Sequence, residues 1–249
     1  MLLPAAVCVS LLLGWELLVR WAQIPAYTLP APSAVLEALV ANWSSLAASW
    51  WFTVKITLSA LGLACAGGVL IASVFALSPQ LERALFPLAV VLQVTPIVAV
   101  APLILIYVES TMVALLLCAW IVAFFPILSN TVIGLRSLDA NLVDLFRLYR
   151  ATPLQRLRLL RAPTALPYFL AGVKISGGLS LIGAVTAEMV AGAAGRDTGL
   201  ASRILEASFR TETPKMFAAL VLLVATGVLV FLILNLLSRA LLLRRSRAD

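Results

Sequence analysis

The sequence predicts an all-α protein that crosses a membrane several times, and three observations predict it. Hydrophobic residues make up 63% of the 249 and charged ones 12%, with a mean hydropathy of +1.08. Soluble domains run at about 45–50% apolar and about 25% charged. The apolar residues gather into six runs, near 2–19, 54–77, 87–108, 112–135, 169–194 and 217–237. Each can cross ~30 Å of hydrocarbon at about 1.5 Å per residue. The basic residues lie mostly between the runs and mostly on one side.

Taken in order, the first run is interrupted by Glu16. It has no Lys or Arg ahead of it and no convincing small-residue cleavage site, so it reads as a retained span and not a cleaved leader. Val7 precedes Cys8 where a lipoprotein signal would carry a small residue. Residues 20–53 hold three prolines, an amphipathic stretch and the pair Trp50-Trp51, aromatic anchors suited to a membrane interface. In the second run Ala60, Ala64, Gly68 and Ala72 recur every fourth residue. Such spacing lets helix backbones approach closely in lipid. The third run contains Pro96 and Pro102, each lacking the N–H a helix needs, with Gln93 and Thr95 beside the first. The fifth is again rich in small residues from Gly172 to Ala187 and ends near Glu188, an ionisable group at membrane depth. Small-residue faces of this kind serve either helix packing or a moving pathway, and Glu188 either function or structure. Residues 195–214 read as a surface helix or loop of mixed charge.

Orientation follows from the Lys/Arg asymmetry. With the N-terminus in the cytoplasm, the inner segments hold eleven arginines (Arg83, Arg136, Arg147, Arg150, Arg156, Arg158, Arg161, Arg239, Arg244, Arg245, Arg247). The outer ones hold five basic residues: Arg20, Arg196, Arg203, Arg210 and Lys215. Lys55 and Lys174 are assigned to span ends and count for neither side. Both termini of the multi-pass chain are therefore expected in the cytoplasm.

Several classes of function are excluded. The chain has no histidine, and its three cysteines lie far apart in apolar runs, so no metal site is expected. None of its three lysines sits in a Gly-x-x-x-x-Gly-Lys-Ser/Thr loop, so no nucleotide-binding motif and no cofactor are expected in this chain. The net charge of +7 follows membrane topology, and no nucleic-acid partner is expected.

One basic island breaks the apolar pattern. Residues 144–167 carry five arginines and divide at Thr152-Pro153. Before the division Leu142, Leu145, Phe146 and Tyr149 share one helical face, with Arg147 and Arg150 on another. Thr152 suits a helix N-cap and Pro153 the first helical position. The second helix sets Leu154, Leu157 and Leu160 against Arg158 and Arg161, and Pro163 and Pro167 are expected to end it before the fifth span. Two short amphipathic helices at the cytoplasmic surface can rest on anionic lipid or receive a protein partner.

This island resembles the EAA loop of bacterial ABC-importer permeases: Glu-Ala-Ala-x-x-x-Gly, nine residues, and a segment ending in Leu-Pro. Asp144 stands at the acid, Arg150 at the glycine, and Leu166-Pro167 at the end, with Pro163 before it; Leu145 and Phe146 replace the alanines. Residues 24–35, 93–107 and 187–207 resemble the same subfamily, the permeases for nitrate, sulfonate, taurine and thiamine-precursor pyrimidines. The resemblance implies a homodimeric permease domain spanning 1–249 in the lipid bilayer. A separate ATP-binding cassette subunit would use ATP and Mg²⁺, and an extracytoplasmic solute-binding protein would deliver the solute. It also implies that 139–167 is a coupling segment between spans four and five. There Asp144, Phe146, Arg147, Arg150, Ala151, Thr152, Pro153, Leu154, Arg158, Pro163 and Pro167 would meet the ATPase. Gln93, Thr95, Pro96, Asn130, Ser180, Thr186 and Glu188 are candidate pathway residues, chosen for polarity or helix breaking within spans. An ion-gradient-driven transporter and a non-transporting membrane scaffold are the alternatives.

Overall fold

The computed structural model describes residues 2–192 and 198–246, and among these every regular element is helical. The elements are α1 (Leu2–Trp21), α2 (Pro32–Ala41), α3 (Trp43–Leu77), α4 (Pro79–Val94), α5 (Ile97–Tyr107), α6 (Thr111–Arg136) and α7 (Ala140–Leu148). After these come α8 (Pro153–Arg156), a π-helical turn (Leu157–Arg161), α9 (Ala162–Ala191), α10 (Leu200–Phe209) and α11 (Thr213–Ser246). Arg196 and Arg247, part of the charge count above, lie outside the described residues.

Four helices among the described residues are long and apolar enough to cross a membrane: α3, α6, the continuous helix Pro153–Ala191 and α11. The expected third span is not one straight helix. It consists of α4 and α5, which meet at 99°. The cause is local. Thr95 takes an extended backbone (ψ 122°), as the residue before a proline prefers, and Pro96 has no N–H to continue the ladder. The Thr95 hydroxyl donates to the carbonyl of Val91 at 2.7 Å, which also accepts from the Thr95 N–H at 3.1 Å, so the last turn of α4 closes on Thr95. Pro102, expected to act likewise, lies inside α5 without ending it. The first expected span appears as the 20-residue α1, joined to the rest through α2 and a Trp15–Phe217 ring contact at 5.9 Å.

A second correction concerns Pro163 and Pro167. They do not end the helix that begins at Pro153, which runs on through both for 39 residues. The π-helical turn at Leu157–Arg161 immediately precedes them. Its wider i→i+5 pattern relieves the clash of the Pro163 ring with the turn behind it, while Pro167 lies farther along within α9.

The core is built on α6, which packs along α3 and α9. Small residues set the distance between these helices. Ala60, Ala64 and Ala72 are wholly buried on α3, and a Cβ at Gly68 would meet Ile127 of α6 at 2.8 Å. On α9 a Cβ at Gly172 would meet the Pro126 carbonyl at 2.8 Å, and one at Gly183 the Ala119 Cα at 2.9 Å. The Ser176 hydroxyl donates to the Ala123 carbonyl at 2.6 Å. The small-residue spacing read in the sequence thus packs helix against helix, in place of the apolar driving force that lipid removes.

At one end of the bundle the charges cluster. Glu82, in the first turn of α4 and 8% exposed, pairs with Arg136 in the last turn of α6. Each charge complements its own helix dipole. Arg161 donates to the Ala76 carbonyl, one of the orphan acceptors at the end of α3. We refer to this as the arginine-rich end, and to the other, where α9 meets α10, as the Glu188 end.

Candidate functional site

At the arginine-rich end, Asp139 caps α7 by accepting from the Asn141 N–H at 2.8 Å. The helix closes in a Schellman turn. The Ala151 N–H donates to the Phe146 carbonyl (3.0 Å) and the Arg150 N–H to that of Arg147 (2.9 Å). Arg150 sits in the left-handed region, φ +52°, the conformation that favours glycine. This is the position at which the resembling loop carries glycine, so the departure from that pattern leaves the turn intact but strained.

The next residue but one starts the following helix. Thr152 accepts from the Gln155 N–H at 3.3 Å, and the Gln155 side chain accepts from the Thr152 N–H at 2.7 Å, a complete capping box. Pro153 and Leu154 form the first turn of α8, Arg158 lies in the π turn, and Pro163 and Pro167 lie in α9. Asp144 pairs with Arg147 at 3.1 Å, both largely exposed. No residue of α7 is buried. Leu145, Phe146, Tyr149, Ala151, Gln155 and Leu159 line an apolar cavity of about 250 Å³ at the junction of the two helices. A Schellman turn and a capping box back to back leave little slack between α7 and the long helix.

The expected pathway residues are not gathered into one site. Gln93 is exposed near the end of α4, and Thr95 and Pro96 form the break after it. Asn130 is half-buried and donates to the Pro126 carbonyl at 2.8 Å. Ser180 is buried and donates to the Gly177 carbonyl at 3.0 Å, while Thr186 is half-buried on α9.

Glu188 is 1% exposed, at the far end of α9. Its Oε1 accepts from the Thr53 hydroxyl of α3 at 2.8 Å and its Oε2 from the Ala201 N–H of α10 at 3.0 Å. Thr53 Oγ1 in turn accepts from the Leu200 N–H at 2.9 Å. The first two amides of α10 are therefore satisfied by two side chains from other helices, and a carboxylate faces the positive end of the α10 dipole. Gly199 leaves the room: a Cβ there would fall on the Glu188 carboxyl group. The Ser202 hydroxyl donates to the Glu188 carbonyl at 3.3 Å, and Arg203 Nε to Ser49 Oγ of α3 at 3.0 Å. One turn along from Thr53, the Thr57 hydroxyl is wholly buried with no hydrogen-bond partner.

Farther out on α10, hydrogen bonding from Arg203, together with the charges of Arg203, Arg210 and Lys215, holds the Glu206 carboxyl below its ordinary pKa.

Glu188 stands out in the sequence as a charge in an apolar run, but its partners do not, since they come from positions up to 135 residues away. The sequence also reads Lys174 as lying at a span end. The structure puts it well inside α9, between Gly172 and Ser176, which face Pro126 and Ala123 near the middle of α6. Lys174 has no ion pair among the described residues. Reading the fifth run from its true start at Ala162 gives this depth.

Comparison with known proteins follows the same lines. A family model described as "Binding-protein-dependent transport system inner membrane component" matches residues 64–243. The chain is 34% identical over 236 residues to the riboflavin transport system permease protein RibX of Chloroflexus aurantiacus, covering 93% of this chain and 85% of the relative. It is 30% identical over 244 residues to the formylaminopyrimidine transport permease protein ThiX of Halalkalibacterium halodurans, covering 96% and 94%. A probable ABC transporter permease protein of Haemophilus influenzae is 29% identical over 235 residues, with 93% of each chain covered. In fold, a chain of the inward-facing MetNI methionine ABC transporter superposes with a TM-score of 0.63 at 19% identity, covering 78% of this chain and 95% of that one.

Proposed function

Since this chain belongs to the inner membrane components of binding-protein-dependent transport systems and is a permease of the ABC-importer type, we propose that α7 and α8 are the surface on which a separate ATP-binding subunit docks. The observation that carries this reading is the exposed apolar junction of α7 and α8, locked directly onto the start of a membrane-crossing helix. Phe146 and Tyr149 enter a groove of the ATPase, and Asp144, Arg147 and Arg150 frame the contact. The arginine-rich end then faces the cytoplasm. With α1 counted as a span and the bent α4–α5 pair as another, six spans place both termini there.

Two copies of the permease enclose the pathway, and an extracytoplasmic solute-binding protein delivers the solute at the Glu188 end. The chain itself hydrolyses nothing; ATP and Mg²⁺ act in the partner subunit, and this chain holds no cofactor. Nucleotide binding shifts the permease between outward and inward access through its differential affinity for the two states. The solute is a small organic molecule or oxyanion of the sulfonate, nitrate, taurine or pyrimidine-precursor class. Lys174, a cation at membrane depth with no ion pair among the described residues, suits an electronegative group passing it. Gln93, Thr95, Asn130 and Thr186 are proposed to add polar groups along the way.

The experiment is copurification of the cognate ATPase with the tagged permease from membranes. Phe146→Asp and Tyr149→Asp should leave the permease inserted and lose the ATPase. A complex as stable as that of the unaltered chain would refute the docking surface.

A further inference from the structure

We propose that Glu188 is a positioning residue: a buried latch that ties the extracytoplasmic helix α10 to the membrane helix α9, so that movement begun at the docking surface reaches the opposite face. The proposal rests on the docking reading above for the origin of the movement, and on the geometry of the Glu188 cluster for its destination.

Three observations carry it. First, Pro153–Ala191 is one continuous helix. The Thr152–Gln155 capping box lies at its start and Glu188 in its last turn. A displacement at one end cannot be absorbed by an intervening loop. Second, Glu188 gives neither of its oxygens to solvent or to α9 itself. One accepts from Thr53 of α3 and the other from the Ala201 N–H of α10. The carboxyl group, in the last turn of α9, thus helps to cap the helix that follows it in the chain. Third, the fit is specific, because a side chain at Gly199 would occupy the place of the carboxyl group. The Ser202 and Arg203 contacts to Glu188 and Ser49 repeat the same three-helix connection.

α10 therefore rides on α9. Beyond the latch, Glu206 pairs with Arg203, which also reaches Ser49 of α3, and with Arg210 just past the end of α10, and Phe209 is exposed. When α9 moves relative to α3, the bonds of Thr53 to Glu188 and to the Leu200 N–H and that of Ser49 to Arg203 are the ones that must lengthen, while the α10 cap travels with Glu188. Without the carboxylate, the 3.3 Å bond from Ser202 to the carbonyl of residue 188 is what remains of the hydrogen-bonded tie between α10 and α9, and the two ends of the permease move independently.

The test is hydrogen exchange read by mass spectrometry on the permease assembled with its ATPase in nanodiscs, with and without a non-hydrolysable ATP analogue. In the unaltered complex the analogue should change exchange both at 140–156 and at 199–209. Glu188→Ala should keep the change at 140–156 and lose it at 199–209, with nucleotide-free exchange at 199–209 faster by roughly ten- to a hundredfold. Glu188→Gln, which keeps one acceptor for the Ala201 N–H, should restore much of the protection and part of the response. An unaltered complex with no change at 140–156 would overturn the docking reading. A nucleotide response at 199–209 that survives in Glu188→Ala, or is missing there from an unaltered complex responding at 140–156, would overturn the latch.

Discussion

Thr53 and Glu188, 135 positions apart in the chain, share a 2.8 Å hydrogen bond inside the bundle, and the same threonine oxygen accepts from the first amide of α10. Thr57, one turn along α3 and equally buried, has a hydroxyl with no partner. The pair predicts opposite responses to one substitution. Thr53→Val strands a carboxylate oxygen and a buried N–H, and should destabilise the protein by about 2 kcal/mol or more. Thr57→Val replaces an unsatisfied hydroxyl with a methyl group of similar shape, and should be neutral or stabilising by about 1 kcal/mol. Thermal unfolding in detergent compares them directly, and equal losses at both positions would argue against the network.

Gly199 gives a second contrast. Gly199→Ala puts a methyl group onto the Glu188 carboxyl and should cost about 1–3 kcal/mol. Gly62→Ala, where a Cβ has open space within α3, should be harmless or stabilising by about 1 kcal/mol, as alanine exceeds glycine in a helix. The same unfolding assay should rank the variants Gly62→Ala, unaltered, Gly199→Ala, from most to least stable.

Arg150 holds a left-handed backbone that an L side chain adopts at a cost of about 1 kcal/mol. Arg150→Gly should remove that strain and raise the stability of the α7–α8 junction, whereas Arg150→Ala should not. Protease resistance of residues 140–156 reports on this segment without requiring the whole bundle to unfold. Equal behaviour of the two variants would show that the strain is relieved elsewhere.

Glu206 supplies a pH dependence. Its lowered pKa means that its ion pairs stabilise α10 at pH above the ordinary carboxylate range and are lost as pH falls through the lowered value. Exchange protection of 203–209 should therefore hold through the ordinary carboxylate range and decline as the pH falls below it, through the lowered value. Glu206→Gln should lower the neutral-pH protection by less than about 1 kcal/mol and remove its share of the decline.

Much of this was legible in the sequence because the signals are local. The Ala60–Ala72 spacing read as close helix contact and appears as one. Thr152-Pro153 read as a helix start and carries a full capping box. Thr95-Pro96 read as a break, and the extended backbone there divides the third run; that α5 then lies at 99° to α4, against α6 and α9, is not written in the local sequence. Other features depend on distant residues. Pro163 and Pro167 look like terminators in any local reading, yet the helix passes both, with a π turn just ahead of Pro163. Glu188 stood out as a charge in an apolar run, but its cap on α10 joins residues from three helices and needs Gly199 to make room. No spacing rule connects Thr53 to Ala201.

The central claim is that ATP hydrolysis in a partner drives solute through this permease. The direct measurement is uptake into proteoliposomes containing the chain, its cognate ATPase and the solute-binding protein, using the labelled solute that the binding protein carries. The account predicts uptake only with ATP inside the compartment that the arginine-rich end faces, and none when the ATPase is omitted. Uptake that persists without ATP under an ion gradient would contradict it.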